Sequence, residues 1–167
     1  MILRTLITAI STSLAILLPM GAMSSYAQSI DAQIIQPIIS ITRSVVDLKR
    51  RRVDVYQGDR LLGSFAVAVG KVGWETPVGT WTVNNKIVNP GWTNFLTGEV
   101  KQPGGSNPMG SRWIGFYKDA KGEIGFHGTK DLSSIGKAVS HGCLRMREVD
   151  VKKLYELLEV GSIVKVI

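Results

Sequence analysis

Cysteine and histidine are the scarcest reactive residues of this sequence. Its 167 residues include one cysteine, Cys143, and two histidines, His127 and His141. A single cysteine excludes an internal disulfide, and with it the disulfide-rich class of small secreted domains. If the protein is exported, a lone cysteine indicates either intermolecular pairing or a free reactive thiol.

The sequence also lacks internal repeats, signs of a second domain and a concentrated basic motif. The net charge is +7, yet the only basic cluster is the short run at residues 49–52. Nucleic acid binding is therefore not expected. A basic exported protein can bind an anionic wall polymer or an anionic membrane face. The net positive charge is explained equally well as surface charge that keeps the protein soluble.

The longest apolar run lies at the N-terminus. Arg4 precedes it, the run covers residues 6–20, and the small-residue sequence SYA follows at residues 25–27. This layout predicts a secretory signal peptide over residues 1–27. The run is short for a membrane span and is interrupted by hydroxyl side chains, so membrane anchoring is expected only if the leader is not cleaved. We therefore expect an exported protein of the periplasm or cell wall.

Residues 28–43 have no clear period and are interpreted as a lead-in, whereas residues 44–167 predict one domain. Short alternating runs separated by turn residues indicate strands. Two hairpins are predicted, one around Gly58-Asp59 and one that turns at residues 119–122. Single strands are predicted to end near Gly70, to span about residues 80–87 and to close the chain at residues 162–167. A short helix capped by Ser133 or Ser134 and an amphipathic helix over about 148–159 are also predicted. The predicted fold class is mainly β, with six or more strands and one or two short helices.

The segment from Asn89 to Ser111 has three prolines, five glycines and no sustained period. A loop of this length inside a compact domain is usually functional or disordered. Its Trp92 and Met109 argue against simple disorder, because disordered segments are poor in such residues. We interpret it as a flap over a binding cleft, with Trp92, Met109 and the nearby Trp113 as candidate cleft residues that serve equally well as core.

Cys143 is the candidate nucleophile, because a thiol ionised by a neighbouring imidazole attacks carbonyl carbons readily. Gly142 before it permits a sharp turn and close substrate approach, and the amides of Gly142 and Cys143 are candidate oxyanion donors. His141 shares a face with Cys143 in an extended segment, whereas His127 comes from a separate predicted strand, and spacing leaves both open as the base. A zinc site is the other interpretation of these residues, but no carboxylate provides a convincing general base beside it; no metal or cofactor is expected.

The pattern H-G-T at residues 127–129, followed by S-H-G-C-L-R-M at residues 140–146, resembles the active-site signature of L,D-transpeptidases of the YkuD type. The resemblance extends over about residues 44–167. It includes VDVYQGDRLLGSFAVAVGK, the turn TPVG at residues 76–79 and GGSNPMGSRWIGF before the histidine hairpin. It implies a β-sandwich of mixed sheets with the cysteine loop at one end of a cleft.

The resemblance also implies residue roles. Cys143 would be the nucleophile, His127 its acid/base partner, and the carbonyl of Gly128 the group that orients the imidazole. Ser140, His141 and Gly142 would complete the motif. Many members carry asparagine where this chain has Arg145, which can bind a substrate carboxylate or form a bracing salt bridge.

The implied reaction is acyl transfer on peptidoglycan stem peptides, in cell wall biogenesis. The thiolate would attack the carbonyl of the third stem residue, expel D-alanine and pass the acyl group to another stem or to a lipoprotein. Carbapenem acylation of Cys143 and a monomeric state are expected. An L,D-carboxypeptidase or endopeptidase of the same fold and a non-catalytic wall-binding module are the alternatives.

Overall fold

The computed structural model describes residues 42–94 and 96–167, which form thirteen strands, one 3-10 helix and one α-helix. The predicted signal peptide and all but the last two residues of the lead-in lie outside the described residues. The first strand begins at Thr42, two residues before the predicted domain boundary. In the described part of the chain, no helix is long and apolar enough to cross a membrane.

Five strands form the larger sheet: β1 Thr42–Asp47, β2 Arg52–Gln57, β3 Arg60–Ala66, β5 Gly79–Thr82 and β13 Ile163–Val166. Their order is β3-β2-β1-β13-β5. Strands β1 and β13 run parallel, and the other pairs are antiparallel. The predicted hairpin at Gly58-Asp59 is confirmed as the β2–β3 connection, where Gly58 takes the left-handed backbone conformation (φ +57°) that suits glycine.

Four strands form the second sheet: β6 Asn85–Val88, β9 Arg112–Asp119, β10 Gly122–Gly128 and β12 Leu144–Met146. Their order is β12-β10-β9-β6, with β12 parallel to β10. The predicted hairpin that turns at residues 119–122 is confirmed as β9–β10. Two short pairs complete the sheets: β4 Val69–Gly70 with β11 Ala138–Ser140, and β7 Trp92–Thr93 with β8 Val100–Lys101.

One hydrophobic core is shared by both main sheets and by helix α1, Glu148–Leu157. The helix contributes Val151 and Leu154, and Leu158 follows directly after it, all fully buried, so the predicted amphipathic helix is confirmed. Burial of such side chains is the main favourable contribution to folding. The predicted class, a mainly β fold of mixed sheets, is likewise confirmed. Core members from the sheets include Val46, Val53, Val55, Ile114, Phe116, Phe126, Leu144, Met146, Val164 and Val166.

The prediction of one strand at about residues 80–87 is wrong, because the chain changes sheets in the middle of that run. The Val83 amide donates to the Ser162 carbonyl beside the larger sheet, at 2.9 Å. The next amide, of Asn84, donates to the Gly115 carbonyl of the second sheet, also at 2.9 Å. Periodicity alone does not reveal such a crossing, since both halves are extended.

The prediction of a short helix capped by Ser133 or Ser134 is also wrong in its position. A single turn of 3-10 helix spans Leu132–Ser134, with Asp131 in the capping position. Gly136 has φ +79°, a left-handed conformation that ends a right-handed helix. The chain then extends into β11 and pairs with β4, which places Ser140 at the start of the cysteine loop.

Candidate active site

Strand pairing places three of the predicted site residues in one row. In the second sheet, His127 on β10 pairs with Trp113 on β9 and with Arg145 on β12. Paired residues of neighbouring strands project from the same face of a sheet. Leu144 and Met146 project to the buried face, so the alternation of side chains places Cys143, two residues before Arg145, on the same face as His127.

The His127 imidazole is held in one orientation by its neighbour. The side chain is only 6% exposed, and its Nδ1 lies 2.7 Å from the Gly128 carbonyl oxygen. A carbonyl can only accept a hydrogen bond, so Nδ1 carries the proton of the neutral ring and Nε2 keeps its lone pair. The Trp113 ring stacks beside it, with centroids 6.4 Å apart and planes at 28°.

The pKa of His127 is lowered to about 4, chiefly by burial and to a smaller extent by the positive charge of Arg145. The hydrogen bond to Gly128 and the negative charge of Glu148 oppose this shift. The imidazole is therefore neutral at neutral pH, with Nε2 ready to accept a proton.

The Cys143 side chain is half-buried, and its thiol donates to the Glu123 carbonyl, with sulfur and oxygen 3.7 Å apart. Burial raises the pKa of the thiol, while a backbone hydrogen bond with Gly125 and the charge of Arg145 act in the other direction. A raised pKa on the thiol and a lowered pKa on the histidine favour a neutral resting pair over a thiolate–imidazolium pair.

The loop before the cysteine is fixed by two buried hydroxyl groups. Ser140 Oγ donates to the Cys143 carbonyl at 2.6 Å and accepts the Gly142 amide at 3.1 Å. Thr76 Oγ1 donates to the Gly142 carbonyl at 2.7 Å. Gly142 itself has φ +112°, a backbone conformation that side-chain-bearing residues rarely adopt.

Arg145 is half-buried and forms an ion pair with Asp131, with Nη1 and Oδ2 3.8 Å apart. Asp131 follows strand β10, which carries His127, so the pair joins the loop after β10 to strand β12. At this distance the guanidinium is only loosely held and keeps donors for a second anion.

A cavity of about 890 Å³ opens in front of these groups. His127, Cys143, Arg145, Ser140 and His141 line it together with the three predicted cleft residues, Trp92, Met109 and Trp113. Trp113 is only 5% exposed, so it serves the core as well as the cavity. The volume is typical of sites for small organic ligands and short peptides.

The predicted flap, residues 89–111, forms one wall of the cavity. The buried Asn107 amide donates to the Pro90 carbonyl at 2.8 Å, which closes the segment on itself. The Lys130 ammonium donates to the Gly105 carbonyl and so links the segment to the loop that follows His127. Two hydrogen bonds therefore hold this wall, one within the segment and one to the loop after His127.

A family model described as the L,D-transpeptidase catalytic domain, YkuD, matches residues 41–166. The chain belongs to the L,D-transpeptidase family. Among curated relatives, the chain is 36% identical over 124 residues to the putative L,D-transpeptidase YkuD from Bacillus licheniformis. The aligned region covers 74% of this chain and 64% of the relative. It is 37% identical over 122 residues to putative YqjB from Bacillus subtilis, covering 71% and 66%.

Solved L,D-transpeptidase structures share the fold. L,D-transpeptidase 3 from Mycobacterium tuberculosis, in complex with a faropenem-derived adduct, has a TM-score of 0.63 at 20% identity, covering 75% of this chain and 60% of that one. A C442S mutant of the Enterococcus faecium enzyme has a TM-score of 0.63 at 23% identity, covering 78% and 51%. The chain spans about half to two thirds of the length of the curated and solved relatives described here.

Three residues beside this site were not predicted as site residues: Thr76, Asp131 and Glu148. Thr76 lies in the TPVG turn, which sequence analysis noted only as part of the family resemblance. Asp131 and Glu148 carry no local signal, since their partners Arg145 and Ser111 are distant in the chain. Only the folded chain brings these groups to the site.

Proposed function

We propose that this chain is an exported, cysteine-dependent L,D-transpeptidase that acts on peptidoglycan stem peptides. The observation that carries the proposal is the neutral, buried His127, oriented by the Gly128 carbonyl and placed with Cys143 along one cavity in a member of this family. The leader pattern at residues 1–27 supports export to the periplasm or cell wall.

The first half-reaction begins with transfer of the Cys143 thiol proton to Nε2 of His127. The sulfur forms a bond to the carbonyl carbon of the third stem residue and produces a tetrahedral oxyanion. As that intermediate collapses, the carbon–nitrogen bond to the terminal D-alanine breaks. The imidazolium returns its proton to the leaving amine, and a thioester acyl-enzyme remains.

Stabilisation of the oxyanion depends on the backbone of the cysteine loop. The Gly142 amide already donates to Ser140 Oγ, so we assign the oxyanion donor role to the Cys143 amide. Ser140 therefore serves to fix the loop, and His141, which meets the Trp74 ring edge-on at 4.9 Å, lines the cavity beside it.

In the second half-reaction an amine attacks the thioester carbonyl, the carbon–sulfur bond breaks and the thiol regains a proton. The acceptor is the side chain of a neighbouring stem or a lipoprotein amine. Water competes with the amine, and we propose that the wall at residues 89–111 favours transfer by limiting solvent access to the thioester. With water as acceptor, the same site would act as an L,D-carboxypeptidase.

We assign substrate carboxylate binding to Arg145. Its guanidinium lines the cavity, lies in the row with His127 and is held only at 3.8 Å by Asp131. A carboxylate that binds both nitrogens of the fork would replace the loose partner with two charge-assisted hydrogen bonds. This contact would fix the donor peptide relative to Cys143.

The proposal is tested by incubating the full chain with a disaccharide-tetrapeptide and analysing the products by mass spectrometry. We expect a cross-linked dimer that has lost one D-alanine. The variants Cys143→Ala and His127→Ala should each reduce its formation about 100-fold or more, since nucleophile and base are both required. Arg145→Met should raise KM for the tetrapeptide more than it lowers kcat.

Each other outcome assigns the chain differently. Tripeptide without dimer would identify a carboxypeptidase. A loss of product in His141→Ala but not in His127→Ala would show that the wrong histidine was assigned as base. No product from the wild-type chain, together with no carbapenem adduct on Cys143, would refute the enzyme proposal and favour a wall-binding module.

A further inference from the structure

Thr76 contacts the cysteine loop from a distant part of the chain. It lies in the segment between β4 and β5, and its side chain is buried, with 2% of its surface exposed. Its hydroxyl donates to the Gly142 carbonyl at 2.7 Å and accepts the Gly70 amide at 3.1 Å. Both hydrogen-bonding capacities of the hydroxyl are thus used between two backbone segments that are far apart in sequence.

The Thr76 bond fixes the orientation of the peptide group that contains the Cys143 amide. The described residues contain no cis peptide bond, so the Gly142 carbonyl and the Cys143 N–H point in opposite directions across one plane. Holding the carbonyl toward Thr76 therefore turns the Cys143 N–H away from Thr76. Rotation of this plane would move the amide that we assign as the oxyanion donor.

The loop needs such an external contact, because Gly142 has φ +112° and imposes little conformational restriction of its own. Ser140 fixes the peptide groups before and after this one, through the Gly142 amide and the Cys143 carbonyl. Thr76 supplies the remaining contact, on the Gly142 carbonyl itself. Donors in an oxyanion hole are effective only when they are fixed before the charge develops.

We propose that Thr76 is a positioning residue for the oxyanion donor of Cys143, an inference that rests on the proposed acyl transfer at this cysteine. Thr76 is not among the residues that line the cavity beside Cys143. It acts through the Gly142 carbonyl on the direction of the Cys143 N–H. Loss of Thr76 should slow reactions that pass through a tetrahedral oxyanion. It should not change the rate of reactions that need only the thiolate.

Two probes separate these effects in the full chain. Acylation of Cys143 by p-nitrophenyl acetate forms a tetrahedral oxyanion and releases p-nitrophenolate. Alkylation by iodoacetamide is a displacement at a saturated carbon and forms none. The ratio of the two second-order rate constants therefore reports on the oxyanion donor, because changes in thiol ionisation or in the fraction of folded protein affect both reactions.

The variants are Thr76→Val, which keeps the branched shape but removes the hydroxyl, and Thr76→Ser, which restores it. We expect Thr76→Val to lower the acylation-to-alkylation ratio by about tenfold or more, less than the ~10²–10³-fold cost of removing a donor outright. The ratio for Thr76→Ser should stay within about threefold of the wild-type ratio, which is a smaller change than the tenfold effect expected for a misaligned donor. Thr82→Val, on the exposed face of β5, is the matched control and should not change the ratio.

An unchanged ratio in Thr76→Val, or a ratio that falls equally in Thr76→Ser, would overturn the inference. If Thr76→Val does not fold at the assay temperature, as judged by its thermal unfolding transition, Thr76→Ala takes its place with the same expected result. A wild-type chain that is acylated by the ester but does not release D-alanine from tetrapeptide would refute the proposed function alone, and the ratio would still decide the role of Thr76.

Discussion

The ionisation state of His127 leads to a sharp prediction about stability and pH. Its pKa is 6.5 in an unfolded chain and about 4 in the folded protein, because burial disfavours the charged ring. Between these two values the unfolded chain binds a proton that the folded protein does not. The part of the free energy of unfolding that depends on the neutral ring is therefore fully present above pH 6.5 and is lost as the pH falls toward 4.

The size of this loss follows from the two pKa values. Moving a pKa from 6.5 to about 4 corresponds to about 3 kcal/mol in the free energy of unfolding. At pH 5 the folded ring is still mostly neutral, and linkage predicts that about 2 kcal/mol of this free energy of unfolding is lost. The two charges that act on the ring oppose each other, since Arg145 on β12 lowers the pKa of His127 and Glu148 on α1 raises it.

The perturbation is His127→Gln, which keeps a hydrogen-bonding side chain but cannot titrate. Urea unfolding at pH 8 and pH 5 gives the free energy of unfolding of wild type and variant under both conditions. The wild type should lose about 2 kcal/mol relative to the variant on moving to pH 5, since carboxylates that titrate in both proteins cancel. His141→Gln, at an exposed histidine, is the matched control and should give a smaller change.

Two results would refute this reasoning. A wild-type-to-variant difference that is the same at both pH values would mean that His127 is not buried in its neutral form. A wild type that gains stability relative to the variant at pH 5 would indicate an imidazolium paired with the Cys143 thiolate. Either result would require a different first step for the proposed acyl transfer.

Two further predictions concern the groups beside His127. In Gly128→Ala the added methyl carbon would lie 1.8 Å from Glu148 Oε1, and the Ser111 amide and hydroxyl hold that carboxylate in place. Urea unfolding should therefore show a loss of about 1–3 kcal/mol that Gly128→Ala/Glu148→Ala partly restores; an equal loss in both backgrounds would contradict the contact. Burial raises the pKa of the Cys143 thiol, so its alkylation by iodoacetamide should be slower at pH 7 than that of a free cysteine. The alkylation rate should still increase above pH 9. A rate that is constant from pH 6 upward would instead show a thiolate already formed.

The chemical groups of the site and most of the local structure can be predicted from neighbouring residues alone. The single cysteine, two histidines and the glycines beside them identify a thiol site, and the family resemblance is confirmed by the match over residues 41–166. The hairpins around Gly58 and at 119–122 and helix α1 were predicted because turn residues and hydrophobic periodicity act over a few neighbouring positions. Where local patterns were ambiguous, as at residues 80–87 and 133–139, the prediction failed.

How these groups meet depends on contacts between segments that are distant in the chain. Spacing left His127 and His141 both open as the base, whereas the pairing of β10 with β12 and β9 places His127 in one row with Arg145 and Trp113. The contact of Thr76 with the Gly142 carbonyl spans 66 positions of sequence, and no local pattern specifies it. Hydrogen bonds of this kind depend on the register between segments that meet only after the core has formed, so their partners are fixed by packing of the sheets rather than by neighbouring residues.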